Sequence, residues 1–133
     1  MSIEIIDDFE KPFVVQLVLD RLDVQEVVDS QRELYLSPDC DPTRPVLWDN
    51  RQVDVQPVAS EIFKMVEQST SFWAKMAGGR TAILVSKSEN LSFARLYVKL
   101  AAAMPRKLKV FLSYDDATEW LLEDQVVSTP KAS

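Results

Sequence analysis

Apolar residues along this chain follow two rhythms, and the switches between them predict its elements. Ile3–Ile6 and the β-branched stretch FVVQLVLD (13–20) read as two short strands. The turn-like DDFEKP between them makes the pair antiparallel. From 22 to 37 the period lengthens. Val24, Val27, Val28, Gln31, Leu34 and Tyr35 fall on one helical stripe, with Asp23 placed to cap the helix and Glu26 three residues on. SPDCDPTRP (37–45) carries three prolines and reads as a loop.

The second half alternates more regularly. Val46–Asp49 is a short buried strand. Residues 57–77 form one long amphipathic helix, with Val58, Ile62, Phe63, Val66, Trp73 and Met76 on a shared face. Gly78-Gly79 ends it. RTAILVS (80–86) is apolar through its centre and predicts a strand buried on both faces. A helix over 90–104 stops at Pro105, a fifth strand runs over 107–113, and a last helix over 113–124 is capped by Ser113. Residues 125–133 show no pattern and read as a flexible tail. The order ββαβαβαβα predicts one α/β domain over 1–124: a five-stranded mixed, mainly parallel sheet packed with about four helices.

Composition removes several chemistries. The chain has 133 residues, 47% apolar, enough for a substantial core. It has no histidine, so a His-based zinc site, a Ser-His-Asp triad and a Cys-His dyad are excluded. Two glycines cannot build a Gly-rich phosphate loop. No metal or cofactor is expected. Cys40 is the single cysteine, which rules out an internal disulfide and fits a reducing compartment. Its acidic neighbours make it a poor nucleophile. The first residues lack the basic start and apolar core of a leader, and no apolar run approaches the ~20 residues that span a bilayer. A soluble, cytoplasmic protein is expected, not a membrane-spanning one.

The net charge of −6 is uneven. Residues 1–54 hold thirteen acids against five bases, and 55–133 hold eight against ten. Such asymmetry steers charged partners, but the overall acidity and the lack of a basic-aromatic motif argue against nucleic acid.

Three features together suggest a family. They are the strand ending VLWDNRQVD, the helix containing FARLY, and the closing strand followed by SYDDATEWL. Their order and spacing over about residues 3–122 resemble the SpoIIAA-like (STAS/SEC14-type) proteins, a largely bacterial group of small α/β domains. The resemblance implies a mixed sheet with helices largely on one side, and it implies no enzyme activity. Members resemble anti-sigma-factor antagonists, which bind partner proteins and are switched by phosphorylation. They also resemble SEC14-type carriers, which hold an apolar ligand beneath mobile helices. Residues 49–56 contain no hydroxyl, so the phosphoacceptor of the antagonists does not carry over.

Two corners are candidate binding surfaces. Asp49, Asn50, Arg51 and Asp54 follow the third strand, where open α/β sheets usually bind ligands. Ser86, Lys87, Ser88 and Asn90 follow the fourth, near a helix N-terminus. Each has a simpler structural use: the aspartates in a turn, Ser88 or Asn90 as a helix cap. Met65, Phe72 and Trp73 form a candidate apolar flank on the long helix, able to dock a partner or a second copy of the chain, or to cover a pocket. The leading expectation is a non-enzymatic module that binds a protein partner through these loops and that flank. The alternative is a carrier or sensor of a lipid or other apolar small molecule. A hydrolase built on Asp49 and Asp54 has only a weak signal, two acids and an arginine.

Overall fold

The computed structural model describes residues 3–7, 12–55, 57–86 and 88–128. Five strands form one sheet: β1 (Ile3–Ile6), β2 (Val14–Arg21), β3 (Val46–Val55), β4 (Arg80–Leu84) and β5 (Lys107–Phe111). Their order in space is their order in the chain, with β1 antiparallel to β2 and the rest parallel. This is the mixed, mainly parallel α/β sheet expected from the alternation of periods.

The sheet order dictates where the helices go. Parallel crossovers of one hand that advance steadily across a sheet deposit their helices on one face. Accordingly α1 (Val24–Tyr35), α2 (Ala59–Ser69) and α3 (Ser88–Leu100) share a core with Val14, Val18, Val46, Trp48 and Ile83. The final helix α4 (Tyr114–Ser128) leads to no further strand and packs on the opposite face. There Ala117 and Leu121 meet Phe13, Leu47, Ala82 and Leu84. The expectation of helices largely on one side thus holds for three of four. Helix α4 also continues beyond the expected domain boundary at 124.

The single helix expected over 57–77 is instead two segments. The α-helix ends at Ser69 and a 3-10 segment, η1, spans Thr70–Met76. The cause lies in the run Ser69-Thr70-Ser71. Ser69 Oγ donates to Val66 O at 2.8 Å and Thr70 Oγ1 to Glu67 O at 2.8 Å. Hydroxyls that bond back to the preceding turn compete with the i→i−4 ladder and tighten or bend it. Phe72, at φ −121° and ψ 15°, leaves helical geometry altogether.

Gly78 and Gly79 do different work. Gly78 has φ +94°, a conformation that side chains rarely adopt. Gly79 makes room for a neighbour: a Cβ there would strike the Arg106 guanidinium and lie 2.5 Å from Pro42 O. Arg106 is buried and donates to five neutral oxygens. These are Thr81 Oγ1 and Pro42 O at 2.6 Å, Arg44 O at 2.8 Å, Arg80 O at 2.9 Å and Met76 O at 3.3 Å. Burial pulls its pKa below the usual arginine range, opposed by nearby Tyr35 and Cys40. One guanidinium thereby ties the 42–44 loop and the end of η1 to the start of β4.

Candidate functional site

The expected turn at 49–54 is strand. β3 continues to Val55 because β2 keeps pairing with it, through Leu17↔Asp49, Leu19↔Gln52, Asp20↔Val53 and Arg21↔Val55. Two register shifts each insert a residue on the β3 side, and a bulge of this kind reverses which face later residues take. Trp48 and Val53 both belong to the core beneath α1–α3, although simple alternation would separate them. The polar run was read as a turn because the strand is polar where its β4 neighbour has ended; β4 pairs only with Val46–Asp49. The steady strand order also has no point of reversal, so the crevice usual at such a point is absent from this sheet.

The pairing of β3 with β4 brings the two corners together, and they bind each other. Ser86 Oγ donates to Arg51 O at 3.0 Å. Asn90, buried at the start of α3, sends Nδ2 toward Asn50 O at 3.5 Å and Val53 O at 3.4 Å. Asn90 therefore clamps the β3 bulge. Asp54 is exposed on β3, and Ser88 opens α3. Lys87 lies outside the described residues.

Asp49 and Arg51 form a forked ion pair, Nε to Oδ1 at 2.9 Å and Nη2 to Oδ2 at 2.8 Å. The Arg51 backbone N–H also donates to Oδ1 at 3.2 Å. Burial alone would raise the Asp49 carboxyl; the Arg51 hydrogen bonds and charge outweigh it and hold it below the usual range. The Arg51 guanidinium sits 5.5 Å from the Tyr114 ring centre, joining β3 to α4. Both carboxylate oxygens are engaged within the fold.

The expected apolar flank is corrected. Met65 and Phe72 are buried, and Trp73 is half-buried with its indole N–H on Ser69 Oγ at 2.9 Å. Phe63, expected in the core, is 59% exposed, as is its neighbour Val58 at 58%. Two causes produce the exchange. Within α2 the buried face is Ile62, Met65, Val66 and Ser69, so Phe63 stands about 100° round the helix from Ile62 and faces water. Beyond the break at Ser69 the changed pitch carries Phe72 into the core.

Of the three flank residues, Met65 helps to line a cavity of about 50 Å³ between the sheet and α1–α3. Trp48 and Ile83 form its floor, Ile62 and Met65 come from α2, and Phe93 and Ala94 from α3. Helix α1 contributes Val27 and Gln31. Its other polar members are Asn50, Asn90 and Tyr97. Gln31 Nε2 lies 3.4 Å from the Tyr97 hydroxyl, whose pKa is pushed up to about 12, chiefly by burial. Gln31 Oε1 and Asn50 Oδ1 are buried without a hydrogen-bond partner. The sequence places Gln31 on the inward stripe of the first helix and assigns it no site. The available signal was a glutamine standing on an otherwise apolar stripe.

A larger hollow of about 400 Å³ lies by the amino-terminal ends of β2 and β3 and includes Asp7, Glu33, Asp39, Cys40 and Asp41. Its acids are occupied or solvated. Asp7 pairs with Arg44 at 2.7 Å, Asp41 Oδ1 accepts from Thr43 N and Oγ1 at 3.0 and 2.6 Å, and Glu33 and Asp39 are exposed. Burial, with Asp41 nearby, raises the Cys40 thiol pKa, although Arg106 opposes this. Among the described residues no group of three or more His, Cys, Asp or Glu is placed to hold a metal ion. None of the described helices is long and apolar enough to cross a membrane.

A mixed five-stranded sheet with three helices on one face and a fourth on the other defines the class as a small α/β domain, and the comparison with solved structures is specific about its fold. An uncharacterized DUF3478-family protein with a SpoIIAA-like fold, from Shewanella loihica PV-4, superposes with a TM-score of 0.54. The match covers 90% of this chain and 92% of that one at 17% sequence identity. The chain has the SpoIIAA-like fold. No protein-family model matches the sequence, and no curated protein does.

Proposed function

We propose that this chain is a non-enzymatic binding module that takes a small, mostly apolar molecule into the cavity beneath α1, α2 and α3. The observation that carries this reading is the cavity's make-up: aliphatic and aromatic side chains from three helices over Trp48 and Ile83, with a few polar groups. Its volume favours a molecule of a few heavy atoms, or one end of a larger one, over a whole acyl chain; it is about a third of the ~150 Å³ dry cavity that binds benzene. The non-enzymatic part rests on the chain's lack of histidine and on the engagement of Asp49 by Arg51. A reducing, cytoplasmic setting fits the lone Cys40.

Native mass spectrometry of freshly purified protein tests this. A bound small-molecule mass that solvent extraction removes supports it. An unliganded mass, together with no response of cavity residues to added small molecules, counts against it.

A second reading, a protein partner or second copy docking on α2, is favoured by Phe63 and Val58, which expose apolar surface on and beside the helix that supplies Ile62 and Met65 to the cavity. Phe63→Ser in a pull-down and in sedimentation would lower partner recovery or self-association on this reading, and leave both unchanged otherwise.

A further inference from the structure

From the two unpartnered amide oxygens we infer that the cavity selects a neutral molecule that brings its own hydrogen-bond donor, an alcohol, phenol or amide N–H on an apolar body, and rejects carboxylates. This rests on the cavity being a binding site, as proposed above, and adds the ligand's chemistry.

Gln31 is 3% exposed and Asn50 is partly buried, and each contributes to the lining an acceptor oxygen with nothing to accept from. A buried polar atom left unpaired costs roughly 1–3 kcal/mol, so such atoms ordinarily mark a place where something else supplies the partner. The Tyr97 hydroxyl can donate or accept, so the Gln31 amide can turn over and serve either kind of ligand group. The demand for a donor comes from Asn50 in the orientation that leaves its Oδ1 unpartnered.

Among the described residues the lining contains no lysine or arginine. An anionic head group would meet carbonyl oxygens and neutral amides in a low-dielectric hollow, with no cation to offset its desolvation. A neutral donor meets no such penalty. The space is that of roughly three or four waters, enough for the polar end of a ligand whose body extends along Trp48, Ile62 and Phe93.

Three probes of three or four heavy atoms, matched to the space, separate the terms: ethanol, acetonitrile and acetate, titrated into the intact protein while its amide and indole NMR signals are followed. We expect ethanol to move the Gln31 and Asn50 side-chain amides and the Trp48 indole. Its affinity should exceed that of acetonitrile, which has no donor, about three- to tenfold, the worth of one hydrogen bond. Acetate should be the weakest. In Gln31→Leu and Asn50→Leu the advantage of ethanol should shrink toward one.

Acetonitrile binding as tightly as ethanol, or acetate binding best, overturns the ligand class and leaves the cavity a binding site. No cavity signal moving with any probe, with only water in contact with the two amides, overturns both. The wild-type comparison decides the matter even where a leucine variant does not fold.

Discussion

Arg106→Met probes most directly how this fold is held together. Methionine keeps much of the arginine stem's volume and removes every donor. In the native protein those donors reach the Thr81 hydroxyl and the carbonyls of Pro42, Arg44, Met76 and Arg80 at 2.6–3.3 Å. The bonds to Pro42 and Arg44 are only part-buried, so water regains those carbonyls in the variant. The bonds to Thr81, Met76 and Arg80 are buried and leave oxygens that water does not readily reach. At about 1–3 kcal/mol for each unsatisfied group the gross loss is roughly 3–9 kcal/mol. Part is recovered because an arginine no longer has to be desolvated, the same effect that depresses its pKa. A net loss of about 3–5 kcal/mol is expected, in line with removal of one partner from a buried charged network. For a chain of this length each 1 kcal/mol moves the thermal midpoint by about 3–5 °C, so the variant should melt roughly 10–25 °C lower. Urea unfolding followed by tryptophan fluorescence and circular dichroism should show a lower midpoint with an unchanged slope. Stability within about 1 kcal/mol of the native protein would refute the account, because the 42–44 loop would then be held to β4 by something else.

Two further outcomes test the corrected helix and the ion pair. Phe72→Ala should cost about 3–5 kcal/mol and Phe63→Ser less than about 0.5 kcal/mol, because the first is buried and the second is open to water; equal effects in chemical denaturation would contradict these two placements. The Asp49 carboxyl is held below the ordinary value of about 3.9, so its stabilising contribution is present above that pH and is lost as pH falls through the lowered value. Arg51→Ala removes the groups that lower it and leaves the burial that raises it. The acid-unfolding midpoint by circular dichroism should therefore move to higher pH; an unchanged midpoint would mean that the fork contributes nothing to acid stability.

Much of the fold was legible because it depends on local rules. Asp23 accepts from Gln25 and Glu26 N–H groups at 2.9 and 3.3 Å, and Ser113 from Asp116 N at 3.3 Å, both at positions where sequence spacing calls for a cap. The centre of β4 is buried throughout, as an unbroken apolar run implies. The candidate site was half legible. Asp49–Asp54 and Ser86–Asn90 do meet, but sequence could not say that their polar groups would bond to each other. Phe63 and Phe72 depart from the expected stripe for two reasons: the buried face of α2 centres on Ile62, Met65 and Val66 and leaves Phe63 outside it, and a hydroxyl run changes helical pitch ahead of Phe72 without changing the hydrophobic count.

By itself the sequence determined the alternation of strands and helices, the helix caps, the stop at Gly78, and the absence of histidine chemistry. Each follows from a residue's own backbone preference or side-chain chemistry. Tertiary structure alone decided the rest: the β3 bulge that reverses faces, the Arg106 fork, and the hollow with two idle oxygens. These depend on atoms far apart in the chain, such as Arg106 and Pro42 or Gln31 and Tyr97, whose meeting is set by how the strands register and the helices pack. No local pattern encodes such distances.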